Sequence, residues 1–158
     1  MNQAAEVGLS ALITGTIASV VSAAALAAFA TLENKSPVQP VNATSHWLHG
    51  DEAASVPQLD AEHTGVGYAT HHASAAFWAV PFEAWQQLRP ARSNGELLGN
   101  AVAMSAIAAL VDYGLTPRRL TPGWELVLSK RSMIGAYAAL ALGLTVGSLV
   151  SRKLRSVA

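Results

Sequence analysis

Two neighbouring histidines, His71 and His72, lie inside a long apolar stretch of the chain, Val66–Trp85. An ionisable side chain within a membrane-spanning segment is costly, and such residues usually mark a functional site. Histidine is also suited to proton transfer, because its unperturbed pKa of about 6.5 lies near physiological pH. On a helix, residues at i, i+4, i+7 and i+11 share a face. His72 therefore forms one stripe with Ala76, Ala79 and Glu83, and His71 forms the adjacent stripe with Ala75 and Trp78.

A carboxylate, Asp112, lies near the end of another apolar stretch. Only a short turn, Pro90–Gly95, separates that stretch from the histidine-containing one, which predicts a tight antiparallel helical hairpin. In such a hairpin Glu83 lies near the turn, and Asp112 lies at the opposite end. We therefore expect Asp112 level with the start of the histidine-containing helix, near His63, with His71 or His72 as a further candidate neighbour. The pair and Asp112 together would suit a small transporter or a proton-linked conductor.

Metal binding is an alternative role for the histidines. His46 and His49 are three residues apart and are followed by Asp51, and Zn or Fe accepts such imidazole and carboxylate ligands. If this loop folds back over the membrane surface, it would approach the histidine pair. The predicted divalent-metal ligands are then His46, His49, Asp51, His71 and His72. No defined motif such as HExxH is present, so the alternative is that the loop histidines lie at the interface and the pair forms interhelical hydrogen bonds.

Haem is a less favoured cofactor. A b-type haem commonly takes two axial imidazoles from separate helices, but the other three apolar stretches contain no histidine. Only a homodimer could supply two intramembrane ligands.

Four apolar stretches must position these residues. About twenty apolar residues span a hydrocarbon core of about 30 Å. The predicted helices cover residues of about 7–32, 64–88, 96–115 and 132–151, with an acidic loop at 33–63. The sequence thus predicts an all-α polytopic membrane protein, a single domain of four transmembrane helices in a small bundle. Each half has a small-residue helix, a Ser/Thr-Pro element and a loop Trp, which suggests two repeated hairpins, although alanine-rich helices align readily by chance.

Small residues recur at every fourth position in two of the predicted helices. Such stripes let helix backbones approach closely within a membrane. They are compatible with a homodimer interface or with packing inside one bundle. The stripes are Gly135, Ala139, Gly143 and Gly147 in the last helix, and Gly15, Ser19, Ala23 and Ala27 in the first.

Composition limits the functional classes. Charged residues are 13% of the chain, about half the roughly 25% typical of soluble domains. The net charge is zero and cysteine is absent, so neither a nucleic-acid partner nor thiol chemistry is expected. Lys and Arg are equally divided between the two predicted membrane sides. The basic cluster Arg152–Arg155 directly follows a span and favours cytoplasmic termini in an inner membrane.

The segment Val111–Pro117, followed by a Trp-containing loop and a small-residue helix, resembles the small bacterial inner-membrane proteins of the YagU-like type. The resemblance covers the third helix and the loop after it. It implies a four-helix topology and supplies no mechanism, and the histidine pair has no counterpart that we can match.

These observations favour a non-catalytic accessory, structural or self-associating membrane subunit. The predicted spans contain few polar residues, so we expect no enzymatic activity. The alternatives are the transporter or conductor and the metal-binding protein described above. The expected partners are the lipid bilayer and either further copies of the chain or a larger membrane complex.

Overall fold

The computed structural model describes residues 2–157, and within this range the chain is mostly α-helical and contains no strands. Two short α-helices lie between the first and second long helices. In chain order the α-helices are α1 (Gln3–Leu32), α2 (Gln39–Ala43), α3 (His46–His49), α4 (Val66–Leu88), α5 (Asn94–Gly114) and α6 (Lys130–Val157). The four long helices lie where the sequence predicts them, except that α6 continues past residue 151.

Local signals set the ends of the long helices. The Asn2 side chain accepts a hydrogen bond from the Ala5 N–H at the start of α1, at 2.9 Å. Asn34 ends α1 in a left-handed conformation (φ 58°), which asparagine tolerates better than most residues. The Ser93 hydroxyl accepts from the Glu96 N–H at the start of α5, at 3.1 Å. These caps keep helix polar groups satisfied where the chain leaves the apolar region.

Three of the long helices are long and apolar enough to cross a membrane. They are Gln3–Leu32, Asn94–Gly114 and Lys130–Ser156, with mean hydropathy values of 2.0, 1.4 and 1.8. Helix α4 is long enough but is not in this set, because it carries the histidine pair, Glu83 and a pair of glutamines. The all-helical class is confirmed, whereas the four-span bundle and the repeated hairpins stay predictions.

Helix α1 lies between α4 and α6, and α6 also packs against α5. The prediction that α4 and α5 form a tight hairpin is wrong, because these two helices touch only sparsely. The molecule therefore has two ends. The loop end contains residues 33–65 and 115–129, and the terminal end contains the start of α1, the end of α6 and the turn at 89–93.

Glycines allow α1 to approach both of its neighbours. A Cβ added to Gly143 or Gly147 of α6 would lie 2.5 Å or 2.6 Å from the Cα of Ala18 or Thr14 of α1. A Cβ added to Gly15 would lie 2.5 Å from the Cα of Ala76 in α4. These glycines of the two small-residue stripes thus pack within one chain, as the bundle interpretation predicts.

The two loops pack on one another at the loop end. The His46 Nε2 lies 2.9 Å from the Thr121 carbonyl oxygen, and the Arg119 Nε donates to the Trp47 carbonyl at 3.0 Å. Gly123 has a φ of 80°, and a Cβ there would lie 2.4 Å from the Ala43 carbonyl oxygen. The loops therefore form an ordered cover over the helix ends.

Candidate functional site

A pocket of about 180 Å³ lies beneath this cover. Its lining comes from α4, α5, α6 and both loops, so it occupies the gap that α4 and α5 leave between them. His71 of α4 and Asp112 of α5 both line it, so the structure brings Asp112 to the same pocket as one histidine of the pair. His63 and His72 are outside the lining.

Two aromatic residues connect His71 and Asp112. The ring of Trp124 lies 5.8 Å from that of His71 and 5.4 Å from that of Tyr137, measured between centroids. The Tyr137 hydroxyl then donates to Asp112 Oδ2 at 2.7 Å. The pocket therefore combines an imidazole, a carboxylate and aromatic walls.

The side chain of Trp124, in the second loop, is buried, with 5% exposed. Its indole N–H donates to Thr44 Oγ1 at 3.2 Å, so the polar edge of the ring has a partner in the other loop. The left-handed Gly123 immediately before it permits the close approach of the two loops. Neither Trp124 nor Tyr137 was predicted as a site residue. In the sequence, each is an aromatic residue that directly follows a small one, Gly123 or Ala136, and this pattern was interpreted as helix and loop packing.

The hydrogen bonds of His71 set its tautomer. Its Nε2 lies 3.1 Å from the Ser19 carbonyl oxygen and 3.0 Å from Ser22 Oγ. A carbonyl can only accept, and the Ser22 hydroxyl donates to the Ala18 carbonyl at 2.7 Å. Nε2 therefore carries the proton, which leaves Nδ1 as the acceptor on the ring.

His72 faces α1. Its Nδ1 lies 3.1 Å from Ser19 Oγ, and this hydroxyl also lies 3.3 Å from the Tyr68 hydroxyl. The other members of the stripe follow the same face: Ala76 meets Gly15, and Glu83 meets Thr14. The interhelical hydrogen-bond interpretation of the pair is therefore confirmed for both histidines.

Glu83 belongs to a separate polar group near the terminal end. Its side chain is 4% exposed and accepts a hydrogen bond from Thr14 Oγ1 at 2.7 Å. One turn further along α4, Gln86 accepts from Arg152 of α6 at 3.1 Å. Three buried serine hydroxyls without a partner in the described chain lie on the facing helices, at Ser10, Ser148 and Ser151. The tight Gly15–Ala76 contact separates this group from the histidines.

The five predicted metal ligands do not form one centre. His46 Nδ1 lies 3.3 Å from Asp51 Oδ1, and His49 Nδ1 lies 3.7 Å from Glu62 Oε1. His71 and His72 instead bond α1, so the loop and helix histidines are directed to different partners. Within residues 2–157, no group of three or more His, Asp or Glu side chains is arranged to hold a metal ion.

Two carboxylates of the loop end have a lowered pKa. Glu33 accepts from the Ser129 N–H at 3.1 Å and from the Ser132 hydroxyl at 2.5 Å, and these bonds hold its pKa below the usual value. The pKa of Asp60 is lowered by the His63 N–H and then by the His63 side chain. Glu33 thus binds the start of α6, Asp60 binds the segment that leads into α4, and neither carboxylate lines the pocket.

No protein-family model matches this chain, and neither a curated protein nor a solved structure does so. The resemblance to YagU-like proteins therefore stays a prediction, and the functional argument depends on the geometry of the site.

Proposed function

We propose that this protein is a small membrane carrier that binds a solute in the pocket at its loop end. One observation carries the proposal: His71 and Asp112, from two different helices, line a single pocket. Ionisable groups that meet in a cavity within membrane-spanning segments usually belong to a substrate or proton pathway. The proposal assigns Asp112 and His71 to ligand contact and Tyr137 to the orientation of Asp112.

The proposal includes four spans, with α4 as the fourth. Three apolar helices support a membrane location. Helix α4 could join them because His71 and Glu83, which lower its hydropathy, are 5% and 4% exposed and make their bonds to α1. We also propose a bacterial inner membrane with cytoplasmic termini, since the basic residues Arg152–Arg155 at the end of α6 favour that side.

Cysteine substitution tests whether the pocket admits water and solutes, and the chain has no cysteine of its own. Ala75 lines the pocket and is 4% exposed, whereas Ala79, one turn along α4, is 0% exposed and lies outside the lining. A thiol reacts as its thiolate, which requires water. We expect a small cationic methanethiosulfonate reagent to modify Ala75→Cys at least ~10-fold faster than Ala79→Cys in proteoliposomes, a difference of about 1.4 kcal/mol in barrier.

Intact-protein mass measurement gives the modified fraction at each time point. Both variants should react fully after denaturation, which controls for thiol oxidation. Equal, slow modification of the two folded variants would contradict a solute pocket. Because the reagent does not cross the bilayer, the side from which Ala75→Cys reacts also tests the proposed orientation.

A second candidate is the non-catalytic accessory subunit. The feature that favours it is an apolar groove of about 750 Å³ between α5 and α6, which shares Tyr137 with the pocket. Ile134 lines this groove and is 71% exposed. Lipid or a partner helix would cover such a face. An unreactive Ala75→Cys would favour this role over the carrier.

A further inference from the structure

The Asp112 carboxyl group has no cationic partner among the residues that the structure describes. Within residues 2–157, no Lys, Arg or His nitrogen lies within 4.0 Å of its carboxylate, and its hydrogen bond comes from the neutral Tyr137 hydroxyl. The nearest arginines in sequence bind elsewhere: Arg118 lies 3.5 Å from Asp51, and Arg119 donates to the Trp47 carbonyl. A partly buried carboxylate of this kind is stabilised by a cation that enters the pocket.

Aromatic rings form much of the pocket wall. Trp47, Trp78, Trp124 and Tyr137 all contribute to the lining, and the Trp124 and Tyr137 rings are inclined at 53°. The faces of such rings attract ammonium groups through their quadrupole, and rings at an angle can face one cation from two directions. An aromatic wall beside a carboxylate is therefore complementary to an organic cation.

The size of the pocket limits that cation. A volume of about 180 Å³ is close to the roughly 150 Å³ of cavities that admit benzene. A ligand of this size has on the order of six to eight heavy atoms. Asp112 would repel an anion, and the described chain has no three-ligand group for a metal ion.

We propose that the solute bound in this pocket is a small organic ammonium ion, with its charge beside Asp112 and its alkyl groups against Trp124 and Tyr137. This inference rests on the proposed function, since it names the chemical class of the solute for the same pocket.

The test compares choline with 3,3-dimethylbutan-1-ol, which replaces the ammonium nitrogen with carbon and so differs mainly in charge. Three of the four tryptophans line the pocket, so the intrinsic fluorescence of the purified full chain reports binding directly. Ionic strength is held constant with sodium chloride. We expect choline to give a saturable change and its neutral isostere to bind at least ~10-fold more weakly, because the alcohol lacks the charge that the ring faces and Asp112 attract.

Asp112→Asn should weaken choline binding by at least ~10-fold, since it removes the charge and retains the shape. Glu83→Gln is the matched control, because it also neutralises a buried carboxylate but lies outside the lining; it should leave choline affinity unchanged. Circular dichroism verifies that both variants are folded.

Other results separate the two proposals. Equal binding of choline and the alcohol, or unchanged binding to Asp112→Asn, would overturn the ammonium assignment and leave the solute pocket intact. No binding of choline, methylammonium or tetramethylammonium, with Ala75→Cys still reactive, would overturn it too. If Ala75→Cys were also unreactive, both the ammonium assignment and the carrier would fail.

Discussion

Helices α4 and α5 are joined by a turn of a few residues at 89–93 and yet hardly touch, whereas α1 and α6, far apart in sequence, pack most extensively. The α1–α6 interface is closed by glycines whose missing side chains bring the backbones together. The α4–α5 gap instead has aromatic rings, His71 and Asp112 along its sides. Packing in this bundle thus follows the small-residue stripes and not chain proximity, and a pocket is left where the stripes are absent.

The largest effect is expected at the α1–α6 interface. The double variant Gly143→Ala/Gly147→Ala places two methyl groups against backbone atoms of α1. These backbone atoms cannot move aside in the way that the end of a flexible side chain can. Overpacking costs about 1–3 kcal/mol at each site, so the thermal midpoint in detergent should fall sharply. Gly99→Ala in α5 is the control: an added Cβ there meets nothing within 4 Å, and replacing a helical glycine should raise stability by up to about 1 kcal/mol. Equal effects of the two changes on the thermal midpoint would contradict the close backbone packing of α6 against α1.

An intermediate effect is expected where α1 meets α4. Thr14→Val keeps the shape of the side chain but removes the hydroxyl that donates to the buried Glu83. Leaving a buried acceptor without its donor costs about 1–3 kcal/mol, which chemical unfolding of the reconstituted protein would measure. Thr145→Val is the matched control, because its hydroxyl bonds only the Ala141 carbonyl of its own helix. A loss for Thr14→Val no greater than that for Thr145→Val would show that the Glu83 bond contributes little.

The smallest effect should occur at the loop end, where Glu33 follows α1 and binds the first turn of α6. A carboxylate at a helix N-terminus contributes about 0.3–1 kcal/mol, so Glu33→Gln should lower the thermal midpoint slightly at pH 7. The pKa of Glu33 is lowered on folding from its usual 4.5, so its stabilising effect is present above that pH and is lost as the pH falls through the folded value. The difference between wild type and Glu33→Gln should therefore disappear under acidic conditions. A difference that is the same at pH 7 and in acid would contradict the assigned role.

The sequence predicted the long helices well because their signals are local. Apolar length, Asn34 and the prolines that follow α1 and α5 are sufficient to locate helix ends. The neighbour of each helix was harder to predict. A short turn brings together only the adjoining ends of α4 and α5. The rest of α5 packs against α6 more extensively than against α4, so α4 and α5 lie apart.

The candidate site was predicted only in part, because some of its residues have a local sequence signal and others depend on contacts between distant segments. His71 and Asp112 were identified because ionisable groups are unusual in apolar stretches. Their similar height along the bundle followed from the antiparallel direction of the two helices, which places the end of α5 beside the start of α4. Trp124 and Tyr137 were missed because an aromatic residue near a helix end has the same sequence pattern whether it faces lipid or a pocket. The orientation of Trp124 depends on Gly123 and on Thr44, which is eighty positions away, and no local pattern contains that information.

The position of α1 also has a consequence for how the protein is made. Ala18 and Gly143 lie about 125 positions apart in the chain, so α1 leaves the ribosome well before the helix that covers it. Its high mean hydropathy of 2.0 allows it to enter the bilayer alone, but Thr14 and Ser19 then have no interhelical partner. Contacts between distant segments form late and slow the folding of a chain. If the protein spans a membrane as proposed, α1 exposes a polar, small-residue surface to lipid until α6 has been synthesised.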